Sequence, residues 1–508
     1  MTIRKITFLI ATLAAFQANA DTFKKALLEA YQSNPGYAAA LADFGAKSTS
    51  EFKALGSFMP TADLNWGYSN SNTDLLDGSG NTLQSDISKT EGSINYGANI
   101  RLNLFKGFSS IANLTQAQYS VMAAASELSA NESNLFLSAI NAYMDCLTKQ
   151  KSLESYIASE QSLSNTYQAA KTRFQVGEFT KTDVLSAQAS FESAKAKRIR
   201  GEGDLEVSRA QYQKVIGSAP GHLHFPNMVK EILPKTLEDA VQLTLAKNPT
   251  LIRAQFAERA TSLGWVQAAA NFMPTVDATF GLANSNTSPS GQINTNSTQT
   301  RAKTYGIGVT FRALDGFQST AGAIETSERI QQAKMQLESA RRAAIEAATK
   351  NWNDLLASRA EIQVQKSVIE ATKIGLDGVR QGARLGANSL LQVLEMEDKH
   401  LQAQVGLADA QQKEVMAVYS LLSATGALSA KELGLLEEAK GLDTAELKPA
   451  VAVEKSAVAE VKKTVKKKKK AKAAKKADAP KVEAPVAAPA AAPVAAPIAA
   501  PADATPKA

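Results

Sequence analysis

Two stretches of this chain change the spacing of their apolar residues in the same way. "SFMPTADLNWGYSNSN" from Ser57 and "NFMPTVDATFGLANSN" from Asn271 each leave a helix-like segment, pass a proline and then alternate apolar with polar residues. Proline lacks a backbone N–H and disfavours helical geometry at the residue before it, so Pro60 and Pro274 are read as helix-to-strand bends. After Pro60, Ala62, Leu64, Trp66 and Tyr68 alternate with Asp63, Asn65, Gly67 and Ser69. The same period of two returns from Ile94 to Phe105, from Val276 to Leu282 and from Tyr305 to Phe311. Strands are predicted over about 61–72, 94–105, 275–284 and 303–314.

Elsewhere the spacing is helical. Gly107 to Val176 and Gly316 to Leu385 hold no proline and many small residues, which predicts two continuous helices of about 70 residues, roughly 105 Å long at 1.5 Å per residue. Each meets a glycine turn, "RFQVGEFTKTDVL" or "ARLGANSLLQVL", and returns as a helix of about 38 residues. Gly177 and Gly386 fit helix C-terminal caps, and Thr180 or Thr182, with Ser389, fit N-caps. Helices of this length and composition pack sideways in a sheath and do not form a compact core.

The two halves are copies. A shift of 214 residues aligns Thr22–Asn72 with Thr236–Asn286 without a gap, and 17 of the 51 pairs are identical. Beyond the polar loops the offset is 209, pairing Gly107 with Gly316, Gly177 with Gly386 and Gly217 with Gly426. One loop takes up the difference, as solvent-facing loops tolerate. The expected organisation is a signal over 1–20, a first repeat over 21–217, a linker over 218–235, a second repeat over 236–428, a segment over 429–447 and a tail over 448–508.

Residues 1–20 have the form of a secretory signal: Arg4 and Lys5, an apolar run from Ile6 to Phe16, and Ala18-Asn19-Ala20 at the cleavage site. A run of eleven residues is too short for a span of roughly 20. No later run is long enough either, so the exported chain is either soluble or part of a β-barrel. Strands of about ten residues with an aromatic in each and one polar face fit a membrane barrel with a wet lumen. Trp66, Tyr68, Tyr96, Phe280, Tyr305 and Phe311 are read as its lipid-facing aromatics. Four strands cannot close a barrel, since about eight is the smallest number that encloses side chains, so copies must share their strands.

Charge and chemistry add little to the body. The net charge is +7, of which the tail from Lys448 holds +9 and the signal +2, leaving −4 for residues 21–447. Nucleic-acid binding is therefore not implied. The tail, Lys-rich and then Ala/Pro-rich, is expected to be disordered, either as a solvated extension or as a basic arm that touches peptidoglycan or anionic lipid. Cys146, the only cysteine, sits in an apolar helical pattern and is read as core. His222 and His224 are read as linker residues, with no metal or cofactor implied. No nucleophile elbow or phosphate loop is present, so no enzyme activity is expected.

The paired strands, the duplicated hairpin, the "FMP" bends and the VG and LG turns together resemble the TolC-like outer membrane factors over about residues 22–428. The resemblance implies a homotrimer in which each chain gives four strands to a twelve-stranded outer-membrane β-barrel, above a periplasmic α-barrel. It implies a passive exit duct for type I secretion or drug efflux, partnered by a periplasmic adaptor and an inner-membrane ABC or proton-driven transporter. In the family, two acidic residues per chain narrow the tip; the matching positions here are Gln392 and Glu395, so one acidic ring is lost. Asp183 is retained after Thr182. The family's latch tyrosine and arginine fall at Ala383 and Asn388, so Arg384 is expected to pair with Asp183 instead, worth about 0–1 kcal/mol for a partly exposed pair. The turns at Val176, Gly177, Leu385 and Gly386 are the expected adaptor contacts. The alternative function is a structural or adhesive envelope spacer that reaches the cell wall through its tail.

Overall fold

Each half opens with two helices joined at an Asn-Pro step, which serves as both cap and bolt. Asn34 separates α1 (Thr22–Ser33) from α2 (Pro35–Gly56), and its Oδ1 accepts from the N–H groups of Gly36 and Tyr37 at 2.9 and 3.2 Å. Its Nδ2 donates to the carbonyl of Val215, 3.0 Å away at the end of α4 (Lys181–Ile216). Asn248, between α5 (Leu237–Lys247) and α6 (Pro249–Ser262), repeats this: Oδ1 caps Leu251 at 3.0 Å and Nδ2 reaches Ala424 O at 2.9 Å, at the end of α9 (Leu390–Ala424). The computed structural model describes residues 22–73, 89–226, 233–288 and 298–435. The chain divides into two units, Met1–Leu442 and Asp443–Ala508, and all described residues lie in the first. The signal and tail expectations lie outside the described residues.

The long helices are continuous. α3 (Ser109–Gln175) and α8 (Gln318–Arg384) hold 67 residues each, and α4 and α9 return alongside them. α3 also packs against α2, α6 and α9, while the short α7 (Gly264–Ala270) rests on α8. The main core lies where α1, α3, α4 and α9 meet, around Phe23, Phe136, Tyr143, Met144, Tyr419 and Leu422. Phe23 meets Tyr143 edge-on at 5.1 Å. The Tyr143 hydroxyl donates to His224 O at 2.9 Å and accepts from His224 N at 3.1 Å, so the H-x-H stretch is tied down through its backbone. Cys146 is part of this core, and burial raises the pKa of its thiol.

The four strands form one antiparallel sheet in the order β1 (Thr61–Thr73), β2 (Lys89–Lys106), β3 (Thr275–Ser288), β4 (Thr298–Thr310). Their register separates two faces. Ala62, Ile100, Phe280 and Tyr305 lie in one row, followed by Leu64, Ala98, Leu282 and Lys303, then Trp66, Tyr96, Asn284 and Arg301. The opposite face carries Thr61, Arg101, Thr279 and Gly306, then Asp63, Asn99, Gly281 and Thr304. β2 and β4 both start earlier than alternation predicts, because ladder hydrogen bonds continue through Ser, Thr and Gln residues that give no apolar signal.

β4 also stops at Thr310, short of the predicted 314. The reason is Pro274: it has no N–H to donate, so the ladder ends at the Thr275–Thr310 pair and Phe311 falls just outside the strand. Both strand-to-helix elbows place two successive residues at positive φ, Gly107 and Phe108 at 56° and 67°, Gly316 and Phe317 at 65° each. A left-handed phenylalanine costs about 1–2 kcal/mol, yet the duplicated halves keep it, and both rings are exposed.

Candidate functional site

Two features remain open in a single chain: the hairpin tips and the apolar sheet face. At the tips, Gly177 and Gly386 take φ of 81° and 73°, the left-handed geometry that ends a helix most cheaply at glycine. Val176 and Leu385 precede them and are exposed, Leu385 at 85%. Each returning helix then opens with a capping box. Thr180 N–H and hydroxyl donate to Asp183 Oδ2 at 2.9 and 2.7 Å, while Asp183 N–H donates to Thr180 Oγ1 at 3.2 Å. In the second half Ser389 N–H donates to Gln392 Oε1 at 3.1 Å and Gln392 N–H to Ser389 Oγ at 3.4 Å. Thr180, not Thr182, is the N-cap, and Thr182 is exposed beside it.

Asp183 and Gln392 thus hold equivalent positions for a local reason: each satisfies backbone N–H groups that the helix start leaves without partners. Within the described chain Asp183 forms no ion pair with Arg384. Arg384 instead lines a cavity of about 560 Å³ with Arg173, Arg380, Phe179 and Ser162. Arg173 lies over the Phe179 ring at 5.3 Å and 3.7 Å from the Glu178 carboxylate. Asn388 packs so closely on Gly382 that a Cβ there would clash with its side-chain amide. Glu395 is exposed, turned away from the buried Val393, Leu394 and Glu397.

Sequence reasoning missed Glu397. It is 6% exposed and pairs with Arg380 of α8, and Ser162 of α3 donates to it at 2.8 Å. Arg380 also donates to Ser162 Oγ at 2.7 Å, so one buried carboxylate ties α8, α9 and α3 together near the tip. Lys197 of α4 adds an ion pair to Asp398 at 2.8 Å. Apolar packing here is modest, built from Leu163, Ala170, Ala187, Ala194, Leu390 and Leu394. The signal for Glu397 was its place in the apolar stripe, four residues after Val393 and four before Leu401.

On the sheet, the predicted aromatics Trp66, Tyr68, Tyr96, Phe280 and Tyr305 share the apolar face, and all are exposed in the single chain, Tyr305 at 82%. Phe311 is exposed beyond the end of β4. β1 and β4 are the two edges of the sheet. No described helix is long and apolar enough to cross a membrane.

A family model described as "Outer membrane efflux protein" matches residues 29–218 and 240–428, one segment for each half. The chain is 26% identical over 418 residues to the outer membrane efflux protein BepC of Brucella suis, covering 82% of this chain and 88% of that one. It is 21% identical over 437 residues to the outer membrane protein TolC of Vibrio cholerae, covering 85% and 97%. The crystal structure of the Campylobacter jejuni CmeC outer membrane channel superimposes with a TM-score of 0.69 at 14% identity, over 87% of this chain and 98% of that chain.

Proposed function

Because the chain belongs to the outer membrane efflux protein family, we propose that it is the outer-membrane exit duct of a tripartite export system. One observation carries this reading: a four-stranded sheet with an exposed apolar face, a polar face and two unpartnered edges, mounted on helices of 67 residues. Open edges are not tolerated in hydrocarbon, because each unpaired N–H or C=O there costs several kcal/mol. Three copies joined edge to edge make twelve strands, enough to close a barrel around a wet lumen. The apolar faces then meet lipid, and the Thr, Asn, Asp and Gly face lines water. The long helices continue the duct into the periplasm of a Gram-negative cell.

At the tip, Glu395 and Gln392 line the narrowest ring, with Asp183, Thr182 and Arg384 of neighbouring copies beside it. Asp183 holds its cap within one chain and presents its remaining lone pairs to the next. Val176, Gly177, Leu385 and Gly386 form the surface that a periplasmic adaptor grips, and the adaptor connects the duct to an inner-membrane ABC or proton-driven transporter. Such a duct supplies a wall and leaves energy coupling to its partners. The test is conductance in planar bilayers. The purified protein should form cation-preferring channels, Glu395→Gln should lower that preference, and Asp183→Ala should raise conductance. A protein that inserts without conducting overturns the duct, and an unchanged selectivity in Glu395→Gln removes Glu395 from the pore.

A further inference from the structure

We infer that Arg301 and Lys303 form a binding site on the outer surface of the sheet for the phosphate of an outer-leaflet phosphoglycolipid of the lipopolysaccharide class. The inference rests on the reading above that the apolar face meets lipid. The register is what sets these two residues apart. Lys303 continues the row of Leu64, Ala98 and Leu282, and Arg301 continues the row of Trp66, Tyr96 and Asn284. Two cations on successive rows of one edge strand therefore stand beside Leu64, Ala98, Leu282, Trp66 and Tyr96, with Asn284 the one other polar member of these two rows. Among the described residues neither joins an ion pair, and the one contact of Arg301 is from its guanidinium to Gln299 Oε1 at 3.3 Å.

A lysine or arginine on the lipid face costs about 2–4 kcal/mol at the bilayer midplane and about 0–1 near the interface. Two adjacent cations are therefore tolerable only at the rim. The strand's own length puts them there. From Phe311 to Arg301 the chain rises about 3.4 Å per residue, and with a tilt of about 40° this gives roughly 26 Å, close to the apolar band of about 25 Å. Phe311 then marks the periplasmic edge and Arg301 the outer edge. Lys303 starts one row lower, but its four-carbon stem lets the ammonium rise to the height of the guanidinium. Trp66 and Tyr96, in the row of Arg301, are the amphipathic rings that favour this depth.

The chemistry selects the occupant. A guanidinium beside an ammonium suits a phosphate monoester, which accepts a planar pair of N–H groups and a point charge together. A zwitterionic lipid brings its own cation and gains less. The site lies at the end of the sheet away from the helices, so it faces the leaflet opposite the periplasm. In that leaflet the phosphate is carried on an acylated sugar, whose chains would lie along Leu64, Ala98 and Leu282. The Asn284 amide already donates to Tyr96 Oη at 2.6 Å, which fixes the polar edge of the row.

The test uses the full-length protein and an R301Q/K303Q variant in phosphatidylcholine nanodiscs doped with bisphosphorylated lipid A, dephosphorylated lipid A or phosphatidylglycerol. Lipid retained by the protein is read by native mass spectrometry, and both proteins are checked for conductance in planar bilayers. The expected result is selective retention of bisphosphorylated lipid A by the wild type, roughly tenfold weaker in the variant, as for a loss near 1.4 kcal/mol, with conductance alike. Equal retention by two conducting proteins overturns the site alone. Retention of phosphatidylglycerol on a par with lipid A overturns the choice of lipid. A wild type that does not conduct overturns the duct and the site with it.

Discussion

α3 and α8 are duplicates of equal length, yet one is buried and the other is bare. α3 has 18 buried residues, among them Phe136, Ile140, Tyr143, Met144 and Leu147, whereas α8 has five: Ala344, Ala348, Leu355, Ser358 and Leu376. The difference comes from neighbours: α3 is flanked by α1, α2, α4, α6, α7 and α9, but α8 packs mainly on α9, with smaller contacts to α5, α6 and α7. α8 nevertheless keeps large apolar residues in solvent, including Ile324, Met335, Val364 and Val368. At 3.6 residues per turn these four fall within about 80° of one another, a stripe that ordinarily faces a partner helix. α4 carries exposed apolar residues of its own, Leu185, Ile199 and Val207, and in the proposed trimer this flank is the surface that meets the stripe of the next copy. In the proposed trimer, a helix that is half-dressed in one chain is completed by the next copy.

The largest effect should follow from breaking that completion. Val364→Asp with Val368→Asp puts two charges on the α8 stripe, where both side chains are exposed in the single chain, so the fold of one copy should change by about 0.5 kcal/mol or less per site. Buried between copies, the same charges have no partner and cost far more. Native mass spectrometry should show the trimer lost while circular dichroism keeps the helical signal. A trimer that survives both charges means that α8 faces water in the assembly.

A second, smaller effect probes how α8 is held near the tip. Arg380 links it to Glu397 and Ser162, and Arg173 on α3 reaches Ala383 O at 3.5 Å. Removing one partner of a fully buried pair costs about 3–5 kcal/mol; the side chain of Arg380 is 38% exposed, so Arg380→Ala should cost less than that. It leaves Glu397 buried beside Ser162 without its cation, and α8 loosens from α3. Single-channel conductance should rise severalfold, and Arg380→Ala combined with Glu397→Ala should return part of the way to wild type. If conductance stays fixed in the single variant, the tie is structural and the gate lies elsewhere.

The sequence made some of this legible and hid the rest for physical reasons. The bends at Pro60 and Pro274 and the turns at Gly177 and Gly386 were legible because each rests on a backbone constraint that acts locally. The duplication was legible because the same local devices recur at a fixed offset. The unequal burial of α3 and α8 was not, since two copies of one pattern predict one environment and only the packing of the whole chain separates them. Glu397 was hidden for a similar reason: its partner Ser162 lies 235 residues away, and a glutamate on a helix usually faces water. The strand ends were hidden because Thr, Ser and Gln extend a ladder without an apolar mark. At the tip, the N-cap was legible only as Thr180 or Thr182, and the backbone was needed to show that Asp183 closes a capping box with Thr180.

The smallest effect concerns a single pair of equivalent positions, Glu132 of α3 and Arg341 of α8. Arg341 is exposed, whereas Glu132 is half-buried, its Oε1 accepting from Ala430 N–H at 2.7 Å. Burial raises its carboxyl pKa above the ordinary range, and the Ala430 hydrogen bond only partly opposes this. A folded pKa above the unfolded one means that the protonated form favours folding. This contribution is complete below the ordinary carboxylate range and is lost as pH rises through the raised value. Glu132→Gln keeps an acceptor for Ala430 and cannot ionise, so its Tm should exceed that of the wild type at pH 8 and converge on it toward pH 4. Arg341→Gln, in solvent, should give no pH-dependent difference over the same window. A Glu132→Gln gain that persists at acid pH would mean that the amide stabilises by packing, and the buried charge would no longer distinguish the two helices.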